Sequence, residues 1–365
     1  MALTPTRRDL LAGAAAAIGA PSASVTASQS YPVFRALAAR RGLLWGSAVE
    51  PQVMDADADF AALVRRECAV LTPENAMKWN ALRPAPGQFD FSAADRVVAL
   101  ARAQNAYVHG HCLAWHEAMP DWLMQALNPS TGRELLTGHI LSVVSRYAGQ
   151  VRSWDVVNEG VERADYRPDG LRASPWLKAL GPGYIDLAFH TAHEADPRAR
   201  LGFADYGLEY DDVRWMVEKR CAMLIMLKGL LARGVPIDAL ALQGHLDAAR
   251  PPSFGPGLGE FLDRVADLGL EIYVTELDVS DQTIPGDPAA RDQVVAGVYH
   301  AFLERVLRQP AVRMVNTWGL ADRHTSKTTF FPRADGQPVR PLPFDADLQP
   351  KPAAFAIAEV LTGAY

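Results

Sequence analysis

The sequence predicts a single (β/α)8 barrel, the TIM-barrel fold, preceded by a short export signal. Three observations lead to this prediction. Eight short apolar runs alternate with stretches of helical periodicity after residue 40. No Ser/Gly-rich linker or change of composition divides the chain into further domains. The first apolar run and the residues after it contain no glycine-rich phosphate loop, which disfavours the alternative, an open doubly wound sheet.

Residues 1–28 have the composition of a cleaved signal peptide of the twin-arginine type. Arg7 and Arg8 precede a weakly apolar run from Leu10 to Ala20, and small residues follow it. This run is about half of the roughly 20 residues that a membrane-spanning helix needs, so we expect cleavage rather than anchoring. The catalytic barrel is predicted to occupy residues 35–365. We expect an exported protein, periplasmic or secreted, without stable membrane insertion after cleavage.

Each predicted strand is a short apolar run, as expected for a parallel sheet that helices cover. The predicted strands are residues 43–48, 70–72, 106–110, 153–157, 200–204, 237–242, 271–275 and 313–317. The predicted helices are residues 57–67, 92–104, 138–147, 184–196, 213–232, 258–268, 290–307 and 352–361. Asp287 and Pro288 form a typical helix start, and Gly234 and Gly269 stand where helices usually end.

Composition and cysteine spacing exclude several functional classes. The chain carries 42 acidic and 36 basic residues, a net charge of -6. Nucleic-acid binding requires clustered positive charge, so we expect a neutral ligand and no nucleic-acid partner. Cys68, Cys112 and Cys221 lack any CxxC spacing, which argues against a thiolate zinc site. Their apolar neighbours predict that all three are buried and unpaired.

Polar and aromatic residues gather just after the predicted strands. The carboxyl ends of all barrel strands meet at one face, so these residues are expected to form one site. They include Glu159 after the fourth run and Glu276 after the seventh, with amides, histidines and tryptophans nearby. Sugar rings stack on aromatic side chains, and cleavage of a glycosidic bond uses two carboxyl groups. A buried carboxylate is costly without a partner or a task, so this rim predicts an enzyme that cleaves a sugar polymer.

Seven motifs carry these residues. They are Glu74-Asn75-Ala76-Met77-Lys78-Trp79, Gly110-His111-Cys112-Leu113-Ala114-Trp115-His116, Trp154-Asp155-Val156-Val157-Asn158-Glu159, Gln243-Gly244-His245, Val274-Thr275-Glu276-Leu277-Asp278, Trp318-Gly319 and Gln349-Pro350-Lys351-Pro352. In residue content and in order they resemble the motifs of glycoside hydrolase family 10, the endo-1,4-beta-xylanases. The resemblance extends from about residue 40 to the C-terminus.

The resemblance implies a retaining endo-1,4-beta-xylanase that acts through a covalent glycosyl-enzyme intermediate. Glu159 would be the general acid and later the general base, and Glu276 would be the nucleophile. His245 and Asp278 would form a hydrogen-bonded network with Glu276 that keeps it charged and oriented. Asn158 would bond the 2-hydroxyl of the sugar at the cleavage point. No cofactor and no metal are implied, and we expect a monomer whose partner is xylan or xylo-oligosaccharides.

By the same resemblance, eight further residues bind the sugar chain. Seven of them would contact sugars on the glycone side of the cleavage point, and one would be a stacking platform on the leaving-group side. The glycone-side residues are Glu74, Asn75, Lys78, His111, Trp115, Gln243 and Trp318, and the leaving-group platform is Tyr206.

The sequence departs from the family pattern at three positions. Ala204 stands where the family commonly has an asparagine, and Ala118 where it usually has a glutamine. Ser326 stands in place of a second tryptophan that normally roofs the glycone subsites. Loss of that ring predicts weaker binding, by about 1 to 3 kcal/mol, unless another group replaces it. Arg323, His324 and Lys327 are the candidates near it in the sequence.

Two alternative functions have some support in the sequence. His109, His111 and the nearby His116 resemble metal-ligand spacing, which suggests a metal-dependent barrel hydrolase. Such a pair should follow the first strand, however, and His109 falls inside an apolar run, where a packed core histidine is expected. The altered sugar-side residues suggest a catalytically weak beta-glycan-binding homologue with broadened specificity. Retention of both glutamates argues against a protein that only binds sugar.

Overall fold

The computed structural model describes Tyr31 and residues 33–363. The predicted signal peptide, residues 1–28, lies outside the described residues. Within the described residues, no helix combines the length and the apolar character needed to cross a membrane.

Eight parallel strands close into a barrel, which confirms the predicted fold class. Within the described residues there are nine strands, and all but β7 belong to the barrel: β1 (Leu44–Val49), β2 (Val70–Pro73), β3 (Tyr107–Ala114), β4 (Ser153–Asn158), β5 (Arg200–Asp205), β6 (Ala239–Leu242), β7 (His245–Asp247), β8 (Glu271–Ser280) and β9 (Val312–Thr317). Neighbours pair in chain order, β6 pairs with β8, and β9 pairs with β1, with Leu44 opposite Met314. The three-residue β7 pairs only with the end of β8, outside the barrel wall.

Helices follow the barrel strands, and shorter helices lie in the loops. They are α1 (Phe34–Arg40), α2 (Pro51–Ala56), α3 (Ala58–Glu67), α4 (Trp79–Leu82), α5 (Ser92–Ala103), α6 (Asp121–Ala126), α7 (Gly132–Arg146), α8 (Pro175–Leu180), α9 (Tyr184–Ala195), α10 (Arg214–Ala232), α11 (Pro256–Asp267), α12 (Pro288–Val306), α13 (Lys327–Phe330) and α14 (Pro352–Thr362). As predicted, Asp287 accepts a hydrogen bond from the N–H of Ala290 at the start of α12. Gly234 and Gly269 follow α10 and α11 with φ of 73° and 81°.

The eight predicted strands and eight predicted helices are confirmed, with small shifts at their ends. The largest shift is in α7, which begins at Gly132 rather than at residue 138. The helices α1, α2, α4, α6, α8 and α13 were not predicted, because four to seven residues are too few to show a clear helical period. The strand β7 was missed because its three residues pair only through the extension of β8.

The expectation that all three cysteines are buried is wrong for one of them. Cys68 and Cys112 are buried and unpaired, whereas Cys221 is unpaired and exposed. Cys221 lies on α10, whose apolar residues are not confined to one face, so its apolar neighbours in the sequence do not place it in the core.

A cluster of six side chains from five barrel strands fills part of the core. It contains Val70, Ala204, Ala239, Ala241, Tyr273 and Met314. Elsewhere the strands pack so closely that only glycine fits. A Cβ at Gly110 on β3 would lie 2.1 Å from the indole of Trp154 on β4, which is buried. The absence of a side chain at Gly110 therefore leaves the space that the Trp154 ring occupies.

We expect Gly110→Ala to lower the free energy of unfolding by about 2 kcal/mol, because an added methyl group overpacks the core against Trp154. The matched control is Gly138→Ala in α7, where an added Cβ has no neighbour within 4 Å. That change should raise the free energy of unfolding by about 0.5 to 1 kcal/mol, because alanine favours the helix. Urea unfolding measures both, and equal effects of the two substitutions would contradict the packing argument.

Candidate active site

All thirteen predicted site residues line one cleft at the carboxyl ends of the barrel strands. The cleft has a volume of about 880 Å³ and brings together residues from the ends of β2, β3, β4, β5, β6, β8 and β9. Barrel closure is what collects them, since residues 74 and 318 are far apart in sequence but β1 lies between β2 and β9. The volume and the mixed polar and aromatic lining suit several sugar units.

Glu159 follows the last residue of β4 and enters the cleft in an unusual backbone conformation. Its φ is 57°, in the left-handed region, and its N–H donates to the Ala204 carbonyl on β5 at 2.8 Å. The Gln243 amide donates to Oε1 at 3.0 Å. Oε2 lies 3.9 Å from Nδ1 of His116, beyond hydrogen-bond distance. One carboxyl oxygen is thus held by an amide, and the other is available to exchange a proton.

The imidazole of His116 faces Glu159 without carrying a positive charge at neutral pH. Burial and the nearby Arg172 guanidinium lower the pKa of His116, and the negative charge of Glu159 only partly opposes them. A neutral imidazole leaves Glu159 without a close cationic partner on that side. This environment is compatible with a carboxyl group that must hold and then release a proton.

Glu276 lies on β8, where the register between β8 and β9 shifts. Its N–H donates to the Gln243 carbonyl at 2.7 Å, which anchors the backbone to the sixth strand. Oε2 lies 3.1 Å from Nε2 of His245. Oε1 is 4.0 Å from Nδ1 of His111 and has no hydrogen-bond partner among the described residues. Oε2 of Glu276 is thus held in a fixed direction by His245, whereas the buried Oε1 has no partner among the described residues.

His245, Asp278 and Lys327 form a charged network behind Glu276. Asp278 Oδ2 lies 2.9 Å from Nδ1 of His245 and 3.1 Å from Nζ of Lys327. Burial lowers the pKa of His245, but Asp278 and a hydrogen bond to Glu276 outweigh burial and the charge of Lys327 and raise it to about 9. Burial also opposes ionisation of Asp278, yet the two cations keep its pKa below the usual range. At neutral pH a charged imidazolium thus lies between the two carboxylates.

The predicted glycone-side residues line the cleft at the ends of β2, β3, β6 and β9. The Lys78 ammonium donates to the side-chain oxygen of Asn75 at 2.9 Å. It also lies 5.2 Å from the ring centroid of Trp115 and 5.8 Å from that of Trp318, within cation–π range. Burial raises the pKa of Glu74. The predicted surface for sugar hydroxyls and ring faces is therefore preassembled.

Two of the three histidines that suggested a metal site are engaged in other interactions. Nε2 of His109 and Nδ1 of His111 lie 3.0 and 2.9 Å from the same Asp155 oxygen. Nδ1 of His109 lies 2.8 Å from the Ser153 hydroxyl, and His109 is fully buried, as a core histidine would be. Within the described residues, no group of three His, Cys, Asp or Glu side chains is arranged to hold a metal ion.

Tyr206, the predicted platform for the leaving group, is held by several neighbours. Its hydroxyl donates to Glu162 at 2.6 Å and accepts a hydrogen bond from Arg172 at 2.9 Å. The buried ammonium of Lys219 lies 3.6 Å from the Tyr206 ring centroid. Trp215, whose side chain is 42% exposed, meets the Tyr206 ring edge-on with centroids 6.4 Å apart. Two aromatic rings therefore line this side, only one of which was predicted.

The segment that lacks the second tryptophan places its three cations in two different environments. Arg323 and His324 contact Asp57 at 2.9 and 2.8 Å, away from the catalytic carboxylates. Lys327 instead enters the cleft and pairs with Asp278, with 14% of its side chain exposed. Neither Arg323 nor His324 takes the place of the missing ring.

Two phenylalanines line the cleft together with Ser326. The Ser326 hydroxyl is hydrogen-bonded to Glu74. Phe330 and Phe331 line the same cleft and are 71% and 50% exposed, and the Phe331 ring centroid lies 4.9 Å from Nζ of Lys327. Exposed rings beside a polar cleft are available to stack on sugar faces. The aromatic surface here is contributed by residues four and five positions after Ser326.

Residues that were not predicted reach the cleft from its outer loops and helix ends. They include Trp215, Met216, Phe330 and Phe331, and Arg172 lies just behind Tyr206. The rule that active-site residues directly follow the strands does not select them. Trp215 lies at the start of α10, Phe330 ends α13 and Phe331 follows it, so a search for tryptophan and phenylalanine in the residues after β5 and β9 would have found three of them.

Comparisons with known proteins agree with this geometry. Residues 34–360 match the family model described as Glycosyl hydrolase family 10. The chain belongs to glycosyl hydrolase family 10. Membership confirms the resemblance seen in the seven motifs, and it disfavours a metal-dependent hydrolase on the same barrel.

Among family 10 members, an endo-1,4-beta-xylanase B from Thermotoga neapolitana is 35% identical over 305 residues, covering 83% of this chain and 83% of that protein. The structure of native xylanase 10B from Thermotoga maritima aligns with a TM-score of 0.82 at 33% identity, covering 91% of this chain and 98% of that one. Xylanase 10B from Thermotoga petrophila RKU-1, in complex with xylobiose, aligns with a TM-score of 0.81 at 33% identity and the same coverage.

We expect the imidazole of His245 to titrate near pH 9, because Asp278 and Glu276 stabilise its charged form. The pKa is higher in the folded than in the unfolded chain, where it is about 6.5. Protonation of His245 therefore stabilises the fold fully below pH of about 6.5, and this contribution is lost as the pH rises through 9. NMR of labelled histidine rings measures the midpoint directly.

The variant Asp278→Asn should move this midpoint to lower pH, because it removes the anion that favours the imidazolium. Asp247→Asn is the matched control, since Asp247 also lines the cleft but contacts Arg250 and the N–H of Ala249 rather than His245. A midpoint near 6.5 in the unmodified protein, or equal shifts in both variants, would contradict the network.

Proposed function

We propose that this protein is an endo-1,4-beta-xylanase, which hydrolyses internal beta-1,4-xylosidic bonds of xylan with retention of anomeric configuration. The observation that carries the proposal is the placement of Glu159, just after β4, and Glu276, on β8, in one cleft but in different environments. Family membership and the xylanase names of the similar proteins support the substrate.

In the first step, Glu159 donates a proton to the glycosidic oxygen, and the bond between that oxygen and C1 breaks. Glu276 attacks C1 and forms an ester with the sugar. Gln243 holds one oxygen of Glu159 and leaves the other free for this transfer. The free Oε1 of Glu276 is the attacking atom, because Oε2 is engaged by His245.

In the second step, Glu159 acts as a base. Its carboxylate takes a proton from a water molecule, the water oxygen attacks C1, and Glu276 leaves as a carboxylate. His245 and Asp278 stabilise that departing charge through the hydrogen bond to Oε2. Asn158 lies beside Glu159, bonded to the Gln243 amide at 3.2 Å, where it can meet the 2-hydroxyl of the reacting sugar.

The remaining expectations of the sequence are part of this proposal. The substrate is a neutral polysaccharide or its xylo-oligosaccharides, in keeping with the xylobiose bound to the Thermotoga petrophila relative. The eight further predicted residues bind that chain. We propose that the protein is exported after cleavage of residues 1–28, that residues 35–365 form the catalytic domain, and that it acts as a monomer without a cofactor, a nucleic-acid partner or stable membrane insertion.

The proposal predicts xylo-oligosaccharides as products from xylan, with little release of sugar from cellulose or mannan. NMR of the first-formed product should show the beta anomer, because two successive inversions at C1 retain configuration. Release mainly from cellulose or mannan would show that the gap at Ser326 has changed the substrate, and a first-formed alpha anomer would exclude the covalent intermediate.

Glu276→Ala should abolish turnover of xylan while leaving xylo-oligosaccharide binding within about threefold of the unmodified protein, because the nucleophile is needed for bond formation rather than binding. Glu117→Ala is the matched control, since Glu117 lines the same cleft with 64% of its side chain exposed. Equal activity of the Glu276 variant and the unmodified protein would end the proposed mechanism. Loss of activity with a chelator would instead support the metal-dependent alternative.

A further inference from the structure

The guanidinium group of Arg172 contacts both the backbone of Glu159 and the side chain of Tyr206. Its Nε donates to the backbone carbonyl of Glu159 at 2.7 Å. Its Nη2 donates to the Tyr206 hydroxyl at 2.9 Å and to Glu162 at 3.2 Å. Only 15% of the side chain is exposed. A planar guanidinium makes such divergent contacts at fixed angles, which a lysine ammonium does not reproduce.

The hydrogen bond from Arg172 to the Glu159 carbonyl stabilises an uncommon backbone conformation. Glu159 has a φ of 57°, which is uncommon for a residue with a side chain. Such a conformation persists where surrounding contacts determine it. The N–H of Arg172 also donates to the Gly160 carbonyl at 2.8 Å, so side chain and backbone of one residue hold two successive carbonyls. These bonds set the direction in which the Glu159 carboxyl points.

The contact with Tyr206 holds the proposed sugar platform. The phenol is fixed between Glu162, to which it donates at 2.6 Å, and Arg172, from which it accepts. The Arg172 guanidinium also lies 4.0 Å from Oε2 of Glu159, the oxygen that has no amide partner. The residue that aims the proton donor is therefore the residue that holds the ring on which the leaving sugar stacks.

We propose that Arg172 is a positioning residue that couples proton delivery by Glu159 to occupation of the leaving-group side of the cleft. This inference rests on the proposed function. A sugar stacked on Tyr206 would have its glycosidic oxygen opposite Oε2 of Glu159, because the same guanidinium sets both positions. Arg172 does not touch the reacting atoms, and its effect is on the geometry of the transfer.

The coupling makes a prediction that depends on the leaving group. When a xylose hydroxyl leaves, the bond to C1 breaks only as Glu159 donates its proton to the departing oxygen. When 2,4-dinitrophenolate leaves, it departs as a stable anion and needs no proton. A variant that misdirects Glu159 should therefore slow the first reaction and spare the second. A general loss of folding would slow both equally.

The experiment measures kcat/KM of Arg172→Met on xylohexaose and on 2,4-dinitrophenyl beta-xylobioside. We expect a fall of about 100-fold on xylohexaose, within the range that general acid catalysis contributes, and a change of less than about threefold on the aryl substrate. Sodium azide should raise kcat on the aryl substrate, because azide attacks the glycosyl-enzyme without a general base and gives a xylobiosyl azide. The kcat/KM of Arg172→Lys on xylohexaose should lie between those of Arg172→Met and the unmodified protein, because a lysine ammonium can restore one of the two contacts but not both.

The control variant is Glu162→Gln, which weakens the hold on Tyr206 but leaves the bond from Arg172 to the Glu159 carbonyl. It should raise KM for xylohexaose without making the rate depend more strongly on the leaving group. If Arg172→Met is too unstable for kinetics, Arg172→Lys provides the same comparison of substrates. Equal losses on both substrates, or no loss on either, would overturn the positioning role. Failure of the unmodified protein to hydrolyse xylan would instead overturn the proposed function.

Discussion

Closure of the parallel sheet is the constraint on which the site depends. Because β9 pairs with β1 and β6 pairs with β8, all eight barrel strands end at one rim, and residues from opposite ends of the chain meet there. The backbone hydrogen bonds of the barrel have no free edge, so the strand ends are fixed relative to each other. Two glutamates more than a hundred residues apart can therefore hold a constant relation to one sugar unit.

The two carboxyl groups differ because their surroundings differ. Glu276 has an imidazolium on one oxygen, which Asp278 stabilises, and this favours negative charge on Glu276. Glu159 meets an amide and a neutral imidazole, and the Arg172 guanidinium lies 4.0 Å from its Oε2. The division is electrostatic and local, and under the proposed mechanism it makes one glutamate the nucleophile and the other the proton donor. The proposed role of Arg172 adds a geometric element, the direction of the Glu159 carboxyl group.

Ser326 stands where the family has a second tryptophan, and none of the three neighbouring residues named as candidates supplies an aromatic surface in its place. The ammonium of Lys327 is committed to Asp278, so it adds charge to the nucleophile network rather than to the open cleft. The aromatic surface comes from Phe330 and Phe331, and on the other side Trp215 extends the surface of Tyr206. The cleft keeps both glutamates of the family motifs within a wall whose composition departs from the family pattern.

The sequence by itself determined the barrel, its eight strands and main helices, and thirteen of the residues that line the cleft. Apolar periodicity is local, and the motifs stand directly after strands, where the fold brings them together. The tertiary structure alone decided the positions of Arg172, Trp215 and the phenylalanines after Ser326, the pairing of Lys327, and the exposure of Cys221. Those features depend on how loops and helix ends pack against distant strands, and no short stretch of sequence encodes such contacts.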